Sequence, residues 1–281
     1  MKHPTNIIMD SGKVKQMQTG FIVVLMMILF TASPQTRNHR VTIIAHRGAM
    51  VERPENTMAA YQRAAELGAD MIEIDLRTSR DGFLYVLHDA HLDRTTRRQG
   101  DASELTLAEL GKLDAGSWFD PIYSAETIPS FRQVLDWALH TDLQLLLDLK
   151  ESGPGYNETV AAEVLSAGME DRVIVGVRSP EQATEFNRLL PDARKLAFMG
   201  SADDIELYAE AGTGIMRVWL SWLDEDPALA GRVAKTNRKL MINGTQGDLE
   251  ETRKIMSYEP DWILVDDPAR LRHSLEELYP R

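Results

Sequence analysis

Residues 44–89 decide the fold, and they read IAHRGAMVERPENTMAAYQRAAELGADMIEIDLRTSRDGFLYVLHD. Polar clusters follow or interrupt short apolar runs in this stretch, at 46–48, 55–57, 73–75 and 88–89. A hydrophobic core does not need charged groups at such places, because burying them without partners is costly. The pattern therefore predicts a functional site that is assembled on strands.

Two carboxylates, Glu73 and Asp75, stand two residues apart within the apolar run 71–76. If this run is a strand, alternation places both on one face and Ile72 and Ile74 on the other. Carboxylates that face the same way repel unless a cation lies between them or one is protonated, and such oxygen ligands suit Mg²⁺ or Ca²⁺. The alternative is a strand whose outer face simply lies in water.

Two histidines, His46 and His88, each follow an apolar run that is typical of a strand, at 41–45 and 83–87. Imidazole titrates near neutral pH, so two such side chains near a carboxylate pair favour general acid and base chemistry. Arg47 has the planar guanidinium that binds a phosphate through two hydrogen bonds. Each of these residues alone is more typical of a structural or surface role, but the set predicts catalysis.

A hairpin is expected to bring the second histidine back to the carboxylates. Asp81-Gly82 lies between two apolar alternations, and Asp-Gly in that position predicts a tight turn. We therefore expect His88 to lie beside Glu73 and Asp75.

The ordered set of motifs resembles the glycerophosphodiester phosphodiesterase family over residues 41–275. Any one motif is weak, whereas the whole set in this order is specific. The matching residues are His46-Arg47-Gly48, Glu55-Asn56-Thr57, Glu73-x-Asp75, Asp81-Gly82, His88-Asp89, Leu92-Asp93-Arg94-Thr95-Thr96, Leu113-Asp114-Ala115-Gly116-Ser117-Trp118-Phe119, Ile128-Pro129 and Asp266-x-Pro268.

The resemblance implies a metal-dependent enzyme that cuts a glycerophosphodiester to sn-glycerol 3-phosphate and an alcohol. It implies that Glu73 and Asp75 bind one divalent cation, Mg²⁺ or Ca²⁺. His46 and His88 are then the acid and base, in an order that the sequence leaves open. Arg47 is expected to stabilise the charge on the phosphate oxygens.

A third strand, predicted at 143–149, contributes the remaining residues of the site that the resemblance implies. The family has Glu-x-Lys here, with the Glu as third metal ligand and the Lys on the phosphate, and this chain has Asp148 and Lys150. Asp148 is one methylene shorter than Glu, so it binds the cation directly or through a water. A lone ion pair of Asp148 with Lys150 is the alternative.

Short apolar runs alternate with amphipathic segments from Val41 onward, which predicts a (β/α)₈ TIM-type barrel, with a doubly wound open sheet as the alternative. The resemblance implies the barrel. His46, Glu73 and Asp75 would then lie at the C-terminal ends of strands, where barrel enzymes carry their chemistry. The predicted strands are 41–45, 71–76, 143–149, 173–177, 195–198, 216–220, 240–243 and 262–265, and the predicted helices include 57–67, 131–139, 158–167, 180–190 and 249–256.

A small insertion, at about 89–127, follows the second strand and its hairpin, and it has a predicted helix at 107–113. Long insertions beside a catalytic face usually form a lid or a substrate wall. The resemblance implies that this one lines the alcohol side of the substrate, with Trp118 and Phe119 as the wall. The alternative is that the two aromatic residues only pack the insertion onto the barrel.

The C-terminal half departs more from the family. Residues 241–245 read MINGT where the family often has Trp-Thr-Val-Asn, so an aromatic wall of the pocket is missing. Trp219 or Trp222 is expected to compensate. Asp266 matches a family aspartate near the site, and we expect it to support the catalytic residues.

Composition limits the class of protein. The 281 residues, 43% of them hydrophobic, suit one large α/β domain or two small ones. The net charge of −12 argues against nucleic-acid binding. The chain has no cysteine, which excludes disulfides and thiolate metal sites.

Residues 1–40 differ from the barrel domain predicted at 41–281. Lys2, Lys13 and Lys15 precede an apolar run at 21–30, and Thr31-Ala32-Ser33 offers small residues for cleavage. This order predicts a secretory signal and export to the periplasm or the extracellular space, since a membrane span needs about 20 apolar residues. An uncleaved membrane anchor and a buried core helix are the alternatives, and any membrane contact is expected only through this segment.

Two other functions stay open beside the glycerophosphodiesterase. One is a related phospholipase for lysophospholipids or sphingolipids, which needs an open, apolar pocket wall. The other is a barrel that binds a phosphodiester without turnover, although binding alone does not require both histidines. The sequence leaves the oligomeric state open.

Overall fold

The computed structural model of the chain describes Met1 and residues 40–280. Residues 2–39, where the secretory signal or anchor is predicted, lie outside the described residues. Nine strands form one sheet within 40–280: β1 (Thr42–Ala45), β2 (Met71–Thr78), β3 (Leu84–Val86), β4 (Gln144–Leu149), β5 (Val173–Val177), β6 (Arg194–Ala197), β7 (Ile215–Trp219), β8 (Lys239–Thr245) and β9 (Trp262–Val265).

Eight of these strands close into a parallel barrel. The order runs β1, β2, β4, β5, β6, β7, β8, β9 and returns to β1, which pairs with both β2 and β9. The closing register joins Ile44 to Met71 on one side and Ile43 to Ile263 on the other. The predicted (β/α)₈ barrel is confirmed, and the open sheet is wrong because β1 bonds on both edges.

The alternation of side chains along each strand builds two apolar layers. Ile72, Ile74 and Leu76 of β2 pack outward against the helices. A second, smaller cluster fills the barrel interior, where Ile44 and Met71 lie. Side chains that face inward above this plug stand at the C-terminal mouth of the barrel.

Helices cover the outside of the barrel and connect its strands. Ser130 and Ser179 cap two of them through their hydroxyl groups, as their positions suggest. The helices are α1 (Met58–Glu66), α2 (Leu107–Leu110), α3 (Phe131–Ala138), α4 (Pro154–Ala167), α5 (Pro180–Leu189), α6 (Ile205–Glu210), α7 (Leu220–Glu225), α8 (Leu229–Lys235), α9 (Leu249–Met256) and α10 (Pro268–Leu278).

Two predicted helix boundaries were wrong. The helix predicted at 158–167 begins four residues earlier, after Gly153, whose φ of 114° is open to glycine and not to other residues. The helix predicted at 107–113 ends at Leu110, and a capping box of Thr106 and Glu109 stabilises its start.

The insertion that follows β3 has a small apolar core of its own. Leu92, Leu105 and Leu110 are buried in it, and it packs on Tyr85 and Leu87 of the hairpin. This packing fixes the insertion to the strand that leads into His88. Among residues 40–280, no helix has both the length and the apolar character needed to cross a membrane.

Candidate active site

Three buried carboxylates meet at the mouth of the barrel. Glu73 and Asp75 lie on β2, and Asp148 on β4 pairs with Asp75 in the parallel register. Each offers one oxygen, and these oxygens lie within 4.8 Å of one another. The exposed fractions of Glu73 and Asp75 are 2% and 0%, so the alternative of a strand face lying in water is wrong.

The charge of this cluster is only partly compensated. Burial, together with the charges of Asp75 and Asp148, raises the pKa of Glu73 well above its ordinary value. Burial opposes the ionised form of Asp75 as well, but attraction to Lys150 and Arg47 outweighs it and lowers the pKa of Asp75. An added cation would therefore stabilise the ionised form of Glu73.

Two cationic side chains, Arg47 and Lys150, lie against the carboxylates. Lys150 Nζ lies 2.8 Å from Asp75 Oδ1 and 2.5 Å from Asp148 Oδ2. Arg47 Nη1 donates to Glu55 at 2.9 Å, and its Nε lies 3.4 Å from Asp75. The Asp148–Lys150 contact thus belongs to a larger cluster and is not a lone ion pair.

The turn after β1 shapes the backbone around the cluster. Arg47 adopts a φ of 55° and Gly48 a φ of 85°, and the Arg47 amide donates to Glu73 at 2.9 Å. A Cβ at position 48 would lie 2.8 Å from Ala60. The His-Arg-Gly motif therefore needs its glycine because the turn presses onto α1.

Each candidate histidine is held by a carboxylate. His46 Nδ1 lies 2.6 Å from Asp266 Oδ1, and Gln246 donates to the other oxygen of Asp266 at 2.5 Å. His88 Nδ1 lies 2.6 Å from Asp89 Oδ1. Because Nδ1 is engaged in both rings, Nε2 is left for proton transfer.

The pair of His88 and Asp89 extends into the insertion. Asp89 accepts from Arg94 at 2.6 Å, and Arg94 donates twice to Glu55, at 2.6 and 2.9 Å. The hydrogen bond from Arg94 is the main reason that the pKa of Asp89 falls to about 2. Burial is the main reason that the pKa of His88 is lowered, so this ring is neutral at pH 7.

A cavity of about 280 Å³ opens above the carboxylates. One side holds His46, His88 and the cluster, which Arg178 contacts through Asp148. Phe198 and Arg217 line the other side with Trp219 and Asn243. The expectation that Trp219 replaces the missing family aromatic agrees with its place in this wall.

The two aromatics of the insertion lie elsewhere. Trp118 and Phe119 are not among the described residues that line the cavity. Trp118 packs edge-on against Phe119, which packs in turn on Tyr123, and the indole of Trp118 donates to the Ala115 carbonyl. The two rings thus contact each other and Tyr123, with Trp118 40% exposed, and neither lines the cavity.

The family model for the glycerophosphoryl diester phosphodiesterase family matches residues 46–270. The chain belongs to this family. A glycerophosphodiester phosphodiesterase of Caldanaerobacter subterraneus subsp. tengcongensis is 38% identical over 249 residues, which cover 83% of this chain and 96% of the relative. The family resemblance of the motifs, and with it the prediction of an enzyme of this family, is confirmed.

Solved structures agree with the fold of this family member. The glycerophosphodiester phosphodiesterase of Agrobacterium tumefaciens has a TM-score of 0.74 at 29% identity, covering 83% of this chain and 100% of that one. A phosphodiesterase of Oleispira antarctica, solved in complex with the product sn-glycerol-3-phosphate, has a TM-score of 0.73 at 24% identity, covering 84% and 96%.

The carboxylate cluster of this phosphodiesterase family member fits one divalent cation. Its three donors are oxygens, are buried and converge, which is what hard cations such as Mg²⁺ and Ca²⁺ require. The raised pKa of Glu73 is the mark of negative charge without enough compensation.

Several residues of the site were not predicted from the sequence. Arg178 donates to Asp148 at 2.5 Å, and Arg94 ties Glu55 to Asp89. Glu55 and Arg94 both belong to motifs that match the family. Their opposite charges are the sequence feature that predicts their contact. Arg217 lies in an otherwise apolar strand, and its charge there is the sequence feature that indicates a functional role.

Proposed function

We propose that the chain hydrolyses glycerophosphodiesters to sn-glycerol 3-phosphate and an alcohol, with one divalent cation held by Glu73, Asp75 and Asp148. The observation that carries this proposal is the meeting of two carboxylate-bound histidines with the three buried acids in one cavity. Family membership supports the reaction class, and the product named for the Oleispira antarctica relative supports the substrate.

The chain's own residues then divide the work. Arg47 and Lys150 stabilise the charge that grows on the phosphate oxygens. One of His46 and His88 takes the proton of the attacking oxygen, and the other protonates the leaving alcohol. The attacking group is water, or the substrate's own glycerol hydroxyl, in which case water then opens the cyclic phosphate to sn-glycerol 3-phosphate. A bound Mg²⁺ or Ca²⁺ supplies positive charge that stabilises the phosphate and activates the attacking oxygen.

The wall of the cavity supports glycerophosphodiesters over the lysophospholipid alternative. An acyl chain needs an apolar wall, whereas this wall presents Arg178 and Arg217 to the cavity. The binding-only alternative has less support, because holding a phosphodiester does not require each histidine to have its own orienting carboxylate.

The histidines give the direct test. His46→Ala and His88→Ala are each expected to lower the rate of glycerophosphocholine hydrolysis by about 10²-fold or more, with the circular dichroism spectrum retained. His140→Ala, on a histidine outside the site, is the matched control. A folded His88→Ala enzyme with a near-normal rate would remove His88 from the mechanism.

We also propose that the chain is exported through its first 40 residues, on the composition of that segment. Mass spectrometry of the protein isolated from its native host tests this. A mass that lacks the N-terminal segment supports a cleaved signal, and the full mass in a membrane fraction supports the anchor.

A further inference from the structure

A buried arginine that forms no ion pair with any residue of 40–280 lines the cavity. Arg217, on β7, is 5% exposed, yet none of the ion pairs found among the described residues involves it. Its Nε and Nη1 have no hydrogen-bond partner there, and Nη2 donates only to the Met199 carbonyl, at 3.1 Å. An unpaired buried charge is costly, so this position calls for an anion that residues 40–280 do not place in hydrogen-bonding contact with it.

Aromatic rings hold the guanidinium in place. Its carbon lies 4.4 Å from the centroid of the Trp219 ring and 5.6 Å from those of Phe198 and Trp222. Such stacking stabilises a cation without neutralising it. Burial, aided by the nearby Arg178, lowers the pKa of Arg217 to about 10, which leaves the group protonated at neutral pH.

Arg217 and the carboxylates Glu73 and Asp75 stand on opposite strands of the barrel. In the ring of eight strands, β7 is four places from β2 in both directions. Arg217 therefore enters the cavity from the wall that faces Glu73 and Asp75, with Asp148 near enough to attract its charge. A substrate whose phosphate lies over the carboxylates presents another part of itself to Arg217.

The same wall offers a second unpaired polar atom. Asn243 is 7% exposed, it lines the cavity, and its Oδ1 accepts no hydrogen bond among the described residues. Its oxygen suits an ammonium or hydroxyl donor, while Arg217 suits an anionic oxygen. Both requirements are met by a polar, charged alcohol and by no hydrocarbon chain.

We propose that Arg217 binds an anionic group, a carboxylate or a further phosphate, on the alcohol half of the substrate, so that the enzyme prefers glycerophosphodiesters of anionic alcohols. This inference rests on the proposed function and names the substrate class of the same site. Arg178 also faces the cavity, but it donates to Asp148 at 2.5 Å, so the subsite rests on Arg217.

The sharpest test compares two substrates that differ only by a carboxylate, glycerophosphoserine and glycerophosphoethanolamine. Wild-type enzyme is expected to prefer the serine compound in kcat/KM by about tenfold or more, the effect of one hydrogen-bonded ion contact. Arg217→Met is expected to abolish the preference. Arg217→Lys, which keeps the charge without the planar fork, retains part of it and serves if the Met variant fails to fold.

Arg194→Met is the matched control. Like Arg217, Arg194 lies over an aromatic ring, 5.1 Å from the centroid of Trp262, but it is only half-buried and is not among the residues that line the cavity. The preference is expected to survive this substitution. A wild-type enzyme that treats the two substrates alike, or an Arg217→Met enzyme that loses the same factor on both, would overturn the proposal.

Calorimetric binding in chelator keeps the inference separate from the proposed function. If no glycerophosphodiester is turned over, the proposed function fails. Tighter binding of glycerophosphoserine that depends on Arg217 would still support the subsite. Equal binding of both compounds would overturn it. A second pair, glycerophosphoglycerol and deacylated cardiolipin, which carries a further phosphodiester, distinguishes phosphate from carboxylate as the preferred anion.

Discussion

At the scale of single residues, the site depends on which partner holds each charge. His46 and His88 each contact a carboxylate, but the two carboxylates differ in their own partners. Asp266 accepts from the neutral Gln246, whereas Asp89 accepts from the cation Arg94. The negative charge of Asp266 thus acts mainly on His46, while that of Asp89 is shared between His88 and Arg94.

Asp266→Asn is therefore expected to lower kcat by about 10²-fold, because an amide cannot stabilise a protonated His46 ring or hold it in one tautomer. KM is expected to change little, since Asp266 binds the imidazole and not the substrate. Steady-state kinetics measure both values. A kcat close to that of wild type would mean that His46 needs no orienting carboxylate.

Cation binding is expected to release a proton from Glu73 at pH 6. An ordinary glutamate is already ionised at that pH, but the pKa of Glu73 is raised well above its usual value. The cation binds the ionised form, so its affinity rises with pH until the raised pKa is passed and then levels off.

Titration calorimetry in two buffers of different ionisation heat counts the protons released. We expect Glu73→Gln to remove the release. Cation binding by the wild type without proton release at pH 6 would contradict the assignment of Glu73 as the protonated member of the cluster.

At the scale of elements, two connections position the chemistry, the turn from β1 to α1 and the insertion after β3. Gly48 and Gly82 both have a φ of 85°, but only a Cβ at position 48 meets another residue, Ala60 at 2.8 Å. Alanine substitutions at these two glycines therefore separate the cost of backbone strain from the cost of close packing.

Gly48→Ala is expected to reduce the free energy of unfolding by about 3 kcal/mol, combining left-handed strain with overpacking. Gly82→Ala is expected to cost about 1 kcal/mol, from strain alone. Urea denaturation measures both. Equal costs would show that the turn after β1 has room to relax away from α1.

The insertion acts on the site through Arg94, which joins Glu55 to Asp89. The side chain of Glu55 is 5% exposed, and that of Arg94 is 42% exposed. Arg94→Met leaves a buried carboxylate with Arg47 as its remaining partner, at an expected cost of about 1–2 kcal/mol after allowance for solvent screening. It also frees Asp89, so kcat/KM is expected to fall by about tenfold.

Arg80→Met is the control, because Arg80 also bonds the insertion, at Glu109, but the pair is exposed at 58% and 46%. Its expected cost is below about 0.5 kcal/mol, with normal kinetics. Thermal unfolding and kinetics of both variants check this. Matching behaviour of the two variants would mean that Arg94 only anchors the insertion.

At the scale of the whole molecule, local patterns were enough for the barrel and for half of the site. Alternation along one strand predicts that Glu73 and Asp75 share a face, and the hairpin signal of Asp81-Gly82 predicts that His88 returns to them. Both relations span few residues. Both relations are found in the structure, because neither depends on how the barrel closes.

The other half of the site depends on closure of the barrel. Arg217 reaches the cavity only because β7 stands opposite β2, a relation that no local pattern contains. Trp118 is near the catalytic segment in sequence, yet the turn around it directs the indole to the Ala115 carbonyl. The short helices α6, α7 and α8 were missed since six or seven residues give too few turns to define an amphipathic face.

One measurement tests the central claim, that a cation held by Glu73, Asp75 and Asp148 acts together with two histidines. Phosphorus NMR follows the full chain with glycerophosphoethanolamine in Mg²⁺, in Ca²⁺ and in chelator. We expect the resonance of sn-glycerol 3-phosphate to grow with at least one cation and to be absent in chelator and in Asp75→Asn. Undiminished product in chelator, or in folded Asp75→Asn with cation, would contradict the account.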